Sequence, residues 1–259
     1  MGAQEDSLMI GAGDVARRIA ILRRSGQTPG LFWLGGFKSD MIGSKAEALD
    51  AFGAEQGLAV TRFDYSGHGV SEGEFLDGSI SQWLEDALGV FETTSGPQIV
   101  TGSSMGGWLA LLLNQALRAK GDSRVCGLVL IAPAVDMTED LMRLTFSPEE
   151  LHDLHMKGRV EQPSDYADEP YILTEKLISD GAKHLLFGKG SIVTGCPVHI
   201  LQGGQDTDVP PAHALKLLAH LTQDPVGFTL IPDGDHRLSR VPDLEKLKDV
   251  ISRMSADAG

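Results

Sequence analysis

The stretch Gly-Ser-Ser-Met-Gly at residues 102–106 is a G-x-S-x-G pentapeptide, and it decides the fold of this chain. A short apolar run precedes it at 97–101, and a segment with helical periodicity follows it at 106–119. A serine on a sharp turn from strand to helix exposes its hydroxyl at the top of a sheet, on a strained backbone that needs small neighbours. The flanking glycines meet that need. The context therefore predicts a nucleophile elbow at Ser104 rather than a glycine-rich turn with an incidental serine.

Around the elbow, strand-like and helix-like segments alternate from Gly30 onward, which is typical of a mostly parallel sheet with helices on both faces. The predicted strands are 31–34, 58–63, 97–101, 125–133, 197–202 and 228–232, and the predicted helices are 45–55, 79–94, 106–119, 211–221 and 243–254. The chain has 259 residues, of which 42% are hydrophobic, enough for one sizeable core. We expect one α/β domain over residues 1–259.

The N-terminal region contains a glycine pattern that resembles a dinucleotide-binding site. Residues 11–16 read Gly-Ala-Gly-Asp-Val-Ala, but few apolar residues precede them and no acidic residue follows on a second strand at the required distance. The alternation over 15–22 instead predicts an edge strand after a glycine turn. No glycine loop is followed by Gly-Lys-Ser/Thr, so a P-loop is excluded as well. The sequence predicts no cofactor.

The alternation of strands and helices lapses between residues 136 and 195, where a polar segment carries apolar residues at helical spacing. Within it, Ser147-Pro148-Glu149-Glu150 is a capping box with proline at the first helical position. An insertion of this length between two strands predicts a helical lid over the carboxyl ends of the sheet. The alternative is a surface helix pair.

A serine nucleophile needs a base, and the base needs an acid that orients it. In folds with this elbow, the acid and then the histidine follow the serine along the chain. Asp206 and His236 each lie in a loop directly after a predicted strand, so Ser104, Asp206 and His236 are the predicted triad. Asp136, which follows the strand that ends at Pro133, remains the second candidate for the acid, and Asp208 is the third.

Two backbone N–H groups should stabilise the negative charge that develops on the substrate carbonyl oxygen. The N–H of Met105, directly after the nucleophile, is the first predicted donor. The second is expected in the loop after the first buried strand, where Phe37 is the choice by position and Lys38 is the alternative.

The remaining histidines are not assigned to catalysis. His152 and His155 lie three residues apart and near Glu149, which would suit a metal, but histidine pairs on a charged helix usually form a solvated face. His199 lies within a predicted strand, and His68 belongs to a turn between glycines. We therefore expect no metal site.

Composition restricts the partners and the environment. The formal net charge of −14 argues against nucleic acid and anionic membrane surfaces, and the longest apolar run, 127–135, is too short to span a membrane. Cys126 and Cys196 each lie beside an apolar run and are expected to be free thiols in a reducing compartment. The first residues lack the pattern of a signal peptide. The sequence predicts a cytoplasmic globular protein.

Several stretches beyond the elbow match one known group of enzymes. They are 62–67 (Arg-Phe-Asp-Tyr-Ser-Gly), 102–108 (Gly-Ser-Ser-Met-Gly-Gly-Trp), 156–158 (Met-Lys-Gly), 163–164 (Pro-Ser) and 235–237 (Asp-His-Arg). Through them the chain resembles the palmitoyl-protein thioesterase and acyl-glucuronide esterase group of the α/β-hydrolase superfamily, with its bacterial relatives. The resemblance implies an α/β-hydrolase fold, a small-molecule or acylated-protein substrate, and a nucleophile, acid and base at Ser104, Asp206 and His236.

These features together predict a lidded serine hydrolase that cleaves carboxylic esters or thioesters through an acyl-enzyme on Ser104. A peptidase or a carbon–carbon bond hydrolase of the same fold is the alternative, and a ligand receptor without catalysis is a third. The sequence does not specify the acyl chain, the leaving group or the oligomeric state.

Overall fold

Nearly continuous apolar runs form the central strands of a large sheet, as expected for parallel strands that are covered on both faces. In the computed structural model, which describes residues 2–162 and 170–257, eight strands form this sheet and two more form a separate hairpin. The strands are β1 (Gln4–Ile10), β2 (Arg17–Arg24), β3 (Gln27–Leu34), β4 (Leu58–Phe63), β5 (Gln98–Ser103), β6 (Val125–Ile131), β7 (Arg159–Gln162), β8 (Tyr171–Thr174), β9 (Val198–Gly203) and β10 (Val226–Ile231). The helices are α1 (Ser44–Gln56), α2 (Ile80–Glu92), α3 (Met105–Ala119), α4 (Pro148–Lys157), α5 (Glu175–Gly181), α6 (Pro211–His220) and α7 (Val241–Asp257).

The topology of the large sheet brings the ends of its parallel strands together. The strand order is β1-β2-β4-β3-β5-β6-β9-β10. β2 is antiparallel to β1 and to β4, whereas the six strands β4, β3, β5, β6, β9 and β10 are parallel to one another. The carboxyl ends of these strands therefore lie along one edge of the sheet. This arrangement confirms the predicted α/β fold with a mostly parallel sheet.

Helices cover both faces of the sheet with apolar side chains. α2 and α3 bury Trp83 and Trp108 against one face, and α1 and α7 bury Leu49 and Ile251 against the other. None of these four side chains is more than 1% exposed. Complete burial of a large apolar side chain contributes about 1.5–3 kcal/mol to folding. The sheet edge that carries the site is therefore supported by a deep core on each face.

The outer edge of the sheet is β1, which the sequence analysis did not predict. The strand expected at 15–22 as the edge strand is β2, which begins at Arg17 and lies second in the sheet. In β1 only Ile10 is buried, so this strand lacks the apolar alternation by which a strand is recognised. The glycine pattern at 11–16 connects these two antiparallel strands, whereas a dinucleotide site connects a strand to a helix.

The insertion between β6 and β9 is not wholly helical, which corrects the prediction of a helical lid. It contains a π-helical turn (Thr138–Met142), a 3₁₀ turn (Arg143–Thr145), α4, the antiparallel hairpin β7–β8 and α5. α4 begins with the predicted capping box, in which Ser147 and Glu150 each accept the other's backbone N–H. The hairpin escaped prediction because each of its strands has only four residues, too few to display a period of two.

The insertion has a small hydrophobic core of its own, separate from the cores on the two faces of the sheet. Its buried side chains come from the turn before α4, from α4, from the hairpin and from α5. They are Phe146, Leu154, Val160, Leu173 and Ile178. This set is called the lid core below.

The structure also describes the two cysteines and the helices that were considered as membrane spans. Cys126 and Cys196 are free thiols, the first half-buried and the second buried. Across residues 2–162 and 170–257, no helix combines the length and the apolar character that crossing a membrane requires. The Pro-Ser pair at 163–164, one of the stretches of resemblance, lies outside the described residues.

Candidate active site

Ser104 lies on a strained turn between β5 and α3. Its backbone has φ 54° and ψ −118°, a conformation that is costly for a residue with a side chain. A Cβ at Gly102 would overlap the carbonyl oxygen of Gly106, and a Cβ at Gly106 would overlap that of Leu34. The two glycines are therefore required for the close approach of strand, turn and helix. The backbone geometry is that of a nucleophile elbow.

The structure brings Ser104, His236 and Asp206 together from three different strand ends. Ser104 Oγ lies 3.1 Å from His236 Nε2, and His236 Nδ1 lies 2.9 Å from Asp206 Oδ2. Because a carboxylate only accepts hydrogen bonds, Nδ1 carries the imidazole proton, and Nε2 is left to accept the serine hydroxyl. The arrangement can therefore move a proton away from Ser104 Oγ.

The carboxylate of Asp206 is fixed by four donors. Its Oδ1 accepts the backbone N–H groups of Val209 at 2.8 Å and Asp208 at 3.0 Å. Its Oδ2 accepts Gln202 Nε2 at 3.2 Å as well as the histidine. The side chain is completely buried. This network holds the carboxylate in one orientation, and with it the ring of His236.

The other candidates for the acid occupy different positions. Asp136 accepts the backbone N–H groups of Leu186 and Phe187, all at 2.8–3.0 Å, and so anchors the end of the insertion. Burial raises the pKa of this carboxyl above its ordinary value. Asp208 is exposed at the rim of the cavity, and its N–H supports Asp206. The structure thus places Asp206, and not Asp136, against the histidine.

Asp206, Asp208 and His236 also form a group whose potential metal-ligating atoms lie within 4.8 Å of one another. Both ring nitrogens of His236, however, are already occupied by Asp206 and Ser104. The group belongs to the same hydrogen-bonded site. His152 and His155 are both exposed on α4, on the solvated face expected for them.

The loop after β3 packs directly against the elbow. A Cβ on Gly36 would lie 3.4 Å from Ser104 Cβ and 3.3 Å from the carbonyl oxygen of Ser103. Phe37 follows this contact, and Lys38 adopts a left-handed backbone with φ 56°. Met105 is the first residue of α3, so its N–H has no acceptor within the helix and points from the positive end of the helix dipole. Both predicted oxyanion donors therefore lie on segments adjacent to Ser104.

A cavity of about 640 Å³ opens above Ser104 and His236, within the usual size range of small-molecule sites. The insertion supplies its roof. The roof side chains are Leu141, Met142, Gln162, Tyr171 and Leu173. The insertion therefore contributes to the lining of the cavity at the strand ends.

Sequence reasoning missed two contributions to the cavity. The hairpin residues Tyr171 and Leu173 were not singled out because the hairpin itself was not predicted. Lys45 at the start of α1 lines the cavity, and its Nζ donates to the carbonyl oxygen of Arg237. Burial lowers the pKa of Lys45 to about 8, which nearby Asp235 partly opposes. No local pattern marks this lysine, because its surroundings come from residues almost two hundred positions later.

Comparison with known proteins identifies the family. The model of the Hydrolase_4 family, described as serine aminopeptidase S33, matches residues 40–243. The mitochondrial palmitoyl-protein thioesterase ABHD10 of Rattus norvegicus is 34% identical over 244 residues, which cover 92% of this chain and 80% of that protein.

Solved structures agree with this assignment. A protein of Agrobacterium vitis S4 described as a hydrolase superposes with a TM-score of 0.95 at 46% identity, covering 98% of this chain and 100% of the other. Alpha/beta hydrolase domain-containing protein 10 from mouse gives a TM-score of 0.86 at 30% identity, with the same coverage. The resemblance inferred from sequence motifs is confirmed.

The relatives also correct the predicted localisation. Five curated relatives, from rat, mouse, cattle, orangutan and human, are all named as mitochondrial proteins. The prediction of a cytoplasmic protein is therefore wrong. It rested on free cysteines and acidic composition, which reflect redox state and solubility and do not distinguish one reducing compartment from another.

The elbow geometry, the sheet topology, the family match over most of the chain and the full-length structural neighbours lead to one assignment. The chain belongs to the Hydrolase_4 (serine aminopeptidase S33) family of α/β hydrolases, and it is a hydrolase related to palmitoyl-protein thioesterase ABHD10.

Proposed function

We propose that this protein is a serine hydrolase that cleaves carboxylic esters or thioesters through an acyl-enzyme on Ser104. The observation that carries the proposal is the continuous hydrogen-bonded chain from Ser104 Oγ through His236 to Asp206, with distances of 3.1 and 2.9 Å. The names of the curated relatives support the thioester part of the proposal.

In the first step, His236 Nε2 takes the proton of Ser104 as Oγ attacks the acyl carbon. The carbonyl π electrons move onto oxygen, and the N–H groups of Phe37 and Met105 stabilise that oxyanion. When the tetrahedral intermediate collapses, the bond to the leaving oxygen or sulfur breaks and His236 returns the proton to it. The products are the acyl-serine ester and a free alcohol or thiol.

In the second step, water replaces the leaving group and the same residues act again. His236 takes a proton from water, the hydroxide attacks the acyl carbon, and Ser104 leaves with the proton that the histidine returns. The carboxylic acid departs. Asp206 stabilises the imidazolium that forms transiently in both steps and keeps Nδ1 protonated throughout.

The lining of the cavity favours an acyl group of apolar character. Apolar side chains from the insertion and from two strand-end loops surround the space above Ser104. They are Met137, Leu141, Met142, Leu173 and Val209. Methionine adapts to irregular shapes and so accommodates chains of different length.

The test compares kcat/KM for an S-palmitoyl-cysteine peptide thioester with kcat/KM for a short acetyl ester, with Ser104→Ala as the blank. Preference for the long thioester supports a deacylase whose lid shelters the acyl chain. Preference for the short ester makes the protein a general carboxylesterase. Hydrolysis of neither, with no covalent adduct from a fluorophosphonate probe, contradicts the proposal and favours a ligand receptor.

A peptidase is the second candidate, because the family model is described as a serine aminopeptidase. An aminopeptidase must hold the positively charged amino terminus of its substrate near the nucleophile. Among the residues that the structure describes, the cavity lining includes the cationic side chains of Lys38, Lys45 and Arg237, and Asp208 is the one carboxylate there outside the triad. This balance favours an ester or thioester substrate. Release of fluorophore from aminoacyl amides at rates above those for esters would reverse the order of the two candidates.

A further inference from the structure

Phe37 connects two of the three hydrophobic cores described above. Its ring packs against the core on the α2–α3 face of the sheet and also against the lid core. Its centroid lies 4.9 Å from that of Phe75 and 6.0 Å from that of Trp83, on the sheet side. On the lid side it lies 6.1 Å from the ring of Tyr171, the first residue of β8. The residue proposed as an oxyanion donor is thus packed between aromatic rings of the sheet side and of the lid side.

Lys38, the next residue, contacts the same lid ring. Its Nζ lies 4.9 Å from the centroid of Tyr171 and 5.7 Å from that of Phe75, within the range of cation–π attraction. Lys38 has a left-handed backbone, which is strained and persists only where the surroundings hold it. Two consecutive residues of the loop after β3 therefore depend on one tyrosine of the insertion.

The backbone on the other side of Phe37 contacts the nucleophile. Gly36 lies close enough to Ser104 that a Cβ there would be in van der Waals contact with the serine Cβ. The segment 36–38 is therefore held by the elbow at one end and by Tyr171 at the other. A shift of the tyrosine ring would move the Phe37 N–H relative to the substrate carbonyl, and an error of about 1 Å in such a group can cost about 10²-fold in rate.

We propose that Tyr171 is a positioning residue for the oxyanion hole: through Phe37 and Lys38, the lid hairpin sets the geometry of the backbone donor that stabilises the transition state. This inference rests on the proposed function of Ser104 as a nucleophile. It applies whether the second donor is the N–H of Phe37 or that of Lys38, because the same ring contacts both residues.

The test replaces the tyrosine and measures oxyanion stabilisation separately from substrate binding. Tyr171→Leu removes the ring, Tyr171→Phe keeps it, and Ile172→Ala is the matched control. Ile172 is the next residue of β8, and it points to the opposite face of the hairpin from the cavity-lining Tyr171 and Leu173. Each variant is assayed with an oxoester and with the thionoester in which sulfur replaces the carbonyl oxygen.

Sulfur accepts hydrogen bonds weakly, so the ratio of oxoester to thionoester kcat reports how well the oxyanion donors are aligned. We expect Tyr171→Leu to lower kcat for the oxoester by about 10-fold, with a much smaller change for the thionoester. Tyr171→Phe should recover most of the loss, and Ile172→Ala should keep the wild-type ratio. Lys38→Met should lower the ratio in wild type and have less effect in Tyr171→Leu, because the two act on one loop.

The proposal is overturned if Tyr171→Leu slows both substrates equally, since the tyrosine would then act by packing alone. Unchanged kcat in Tyr171→Leu, or an equal loss of ratio in Ile172→Ala, also overturns it. If Tyr171→Leu does not fold, Lys38→Met provides the same test. An unchanged ratio of oxoester to thionoester kcat in Lys38→Met then overturns the proposal. Failure of the proposed function is recognised separately, because Ser104→Ala would then retain activity.

Discussion

The sheet edge that carries Ser104 and the insertion that covers it are stabilised in different ways. At the sheet edge, glycines bring backbone against backbone, and helices on both faces bury completely the side chains that support it. The insertion has a separate lid core of only five buried side chains and leaves Leu144, Leu151 and Met156 exposed. The difference suggests that the chemistry tolerates almost no change of backbone, whereas the lid can vary with the substrate.

The largest expected effect is at the sheet edge itself. Ser104→Ala removes the nucleophile, and we expect kcat to fall by roughly 10⁶-fold if chemistry limits the rate. Ser103→Ala is the matched variant, because it removes the neighbouring hydroxyl and leaves the triad in place. Single-turnover kinetics and the mass of the fluorophosphonate adduct measure both variants. Near-normal turnover by Ser104→Ala would contradict a mechanism in which Ser104 is the nucleophile.

The next effect concerns the orientation of the histidine. Asp206→Asn keeps the shape of the side chain but can present an N–H to Nδ1, which favours the wrong imidazole tautomer. We expect kcat to fall by about 10⁴-fold, as in the chymotrypsin-type triad. Asp136→Asn should instead lower thermal stability, because Asp136 accepts two backbone N–H groups at the end of the insertion. A larger loss of kcat in Asp136→Asn than in Asp206→Asn would reverse their roles.

Alanine substitutions at two glycines compare how much stability the sheet edge and the insertion each lose when a Cβ is added. Gly102→Ala forces a Cβ into the backbone of α3, and we expect it to lower the free energy of unfolding by at least about 4 kcal/mol. Gly158, after α4 in the insertion, has φ 71° but open space around it. Its replacement by alanine should cost only the left-handed strain, about 1 kcal/mol. Urea unfolding measures both, and equal costs would contradict the difference between the regions.

The last prediction is a pH dependence of stability at His68, whose ring packs against those of Tyr65, Phe75 and Trp83. Burial lowers the pKa of His68 from 6.5 to about 4, so the unfolded chain binds its proton more readily. The contribution of this residue to stability is present above pH 6.5 and is lost as the pH falls towards 4, by up to about 3 kcal/mol. His68→Phe should flatten the stability profile in that window. An unchanged slope in urea unfolding between pH 4 and 6.5 would show that His68 does not contribute.

Local patterns along the chain made much of the fold predictable. The sheet, most of its strands and helices, and the position of the elbow follow from periodicity and from glycine spacing. β1 and the β7–β8 hairpin did not, because β1 is exposed along most of its length and the hairpin strands are very short. The candidate triad could be named because each member follows a recognisable strand. The residues that form the roof of the cavity could not be named from the sequence, because they depend on the hairpin that was not predicted.

The sequence by itself determined the α/β alternation, the strained turn at Ser104 and the loops in which Asp206 and His236 lie, because each is encoded by neighbouring residues. Only the tertiary structure decided that residues 132 positions apart lie within hydrogen-bonding distance, that Lys45 Nζ donates to the carbonyl oxygen of Arg237, and that Phe37 joins the sheet to the lid. These features depend on packing between distant segments, and no local pattern encodes the distance between them.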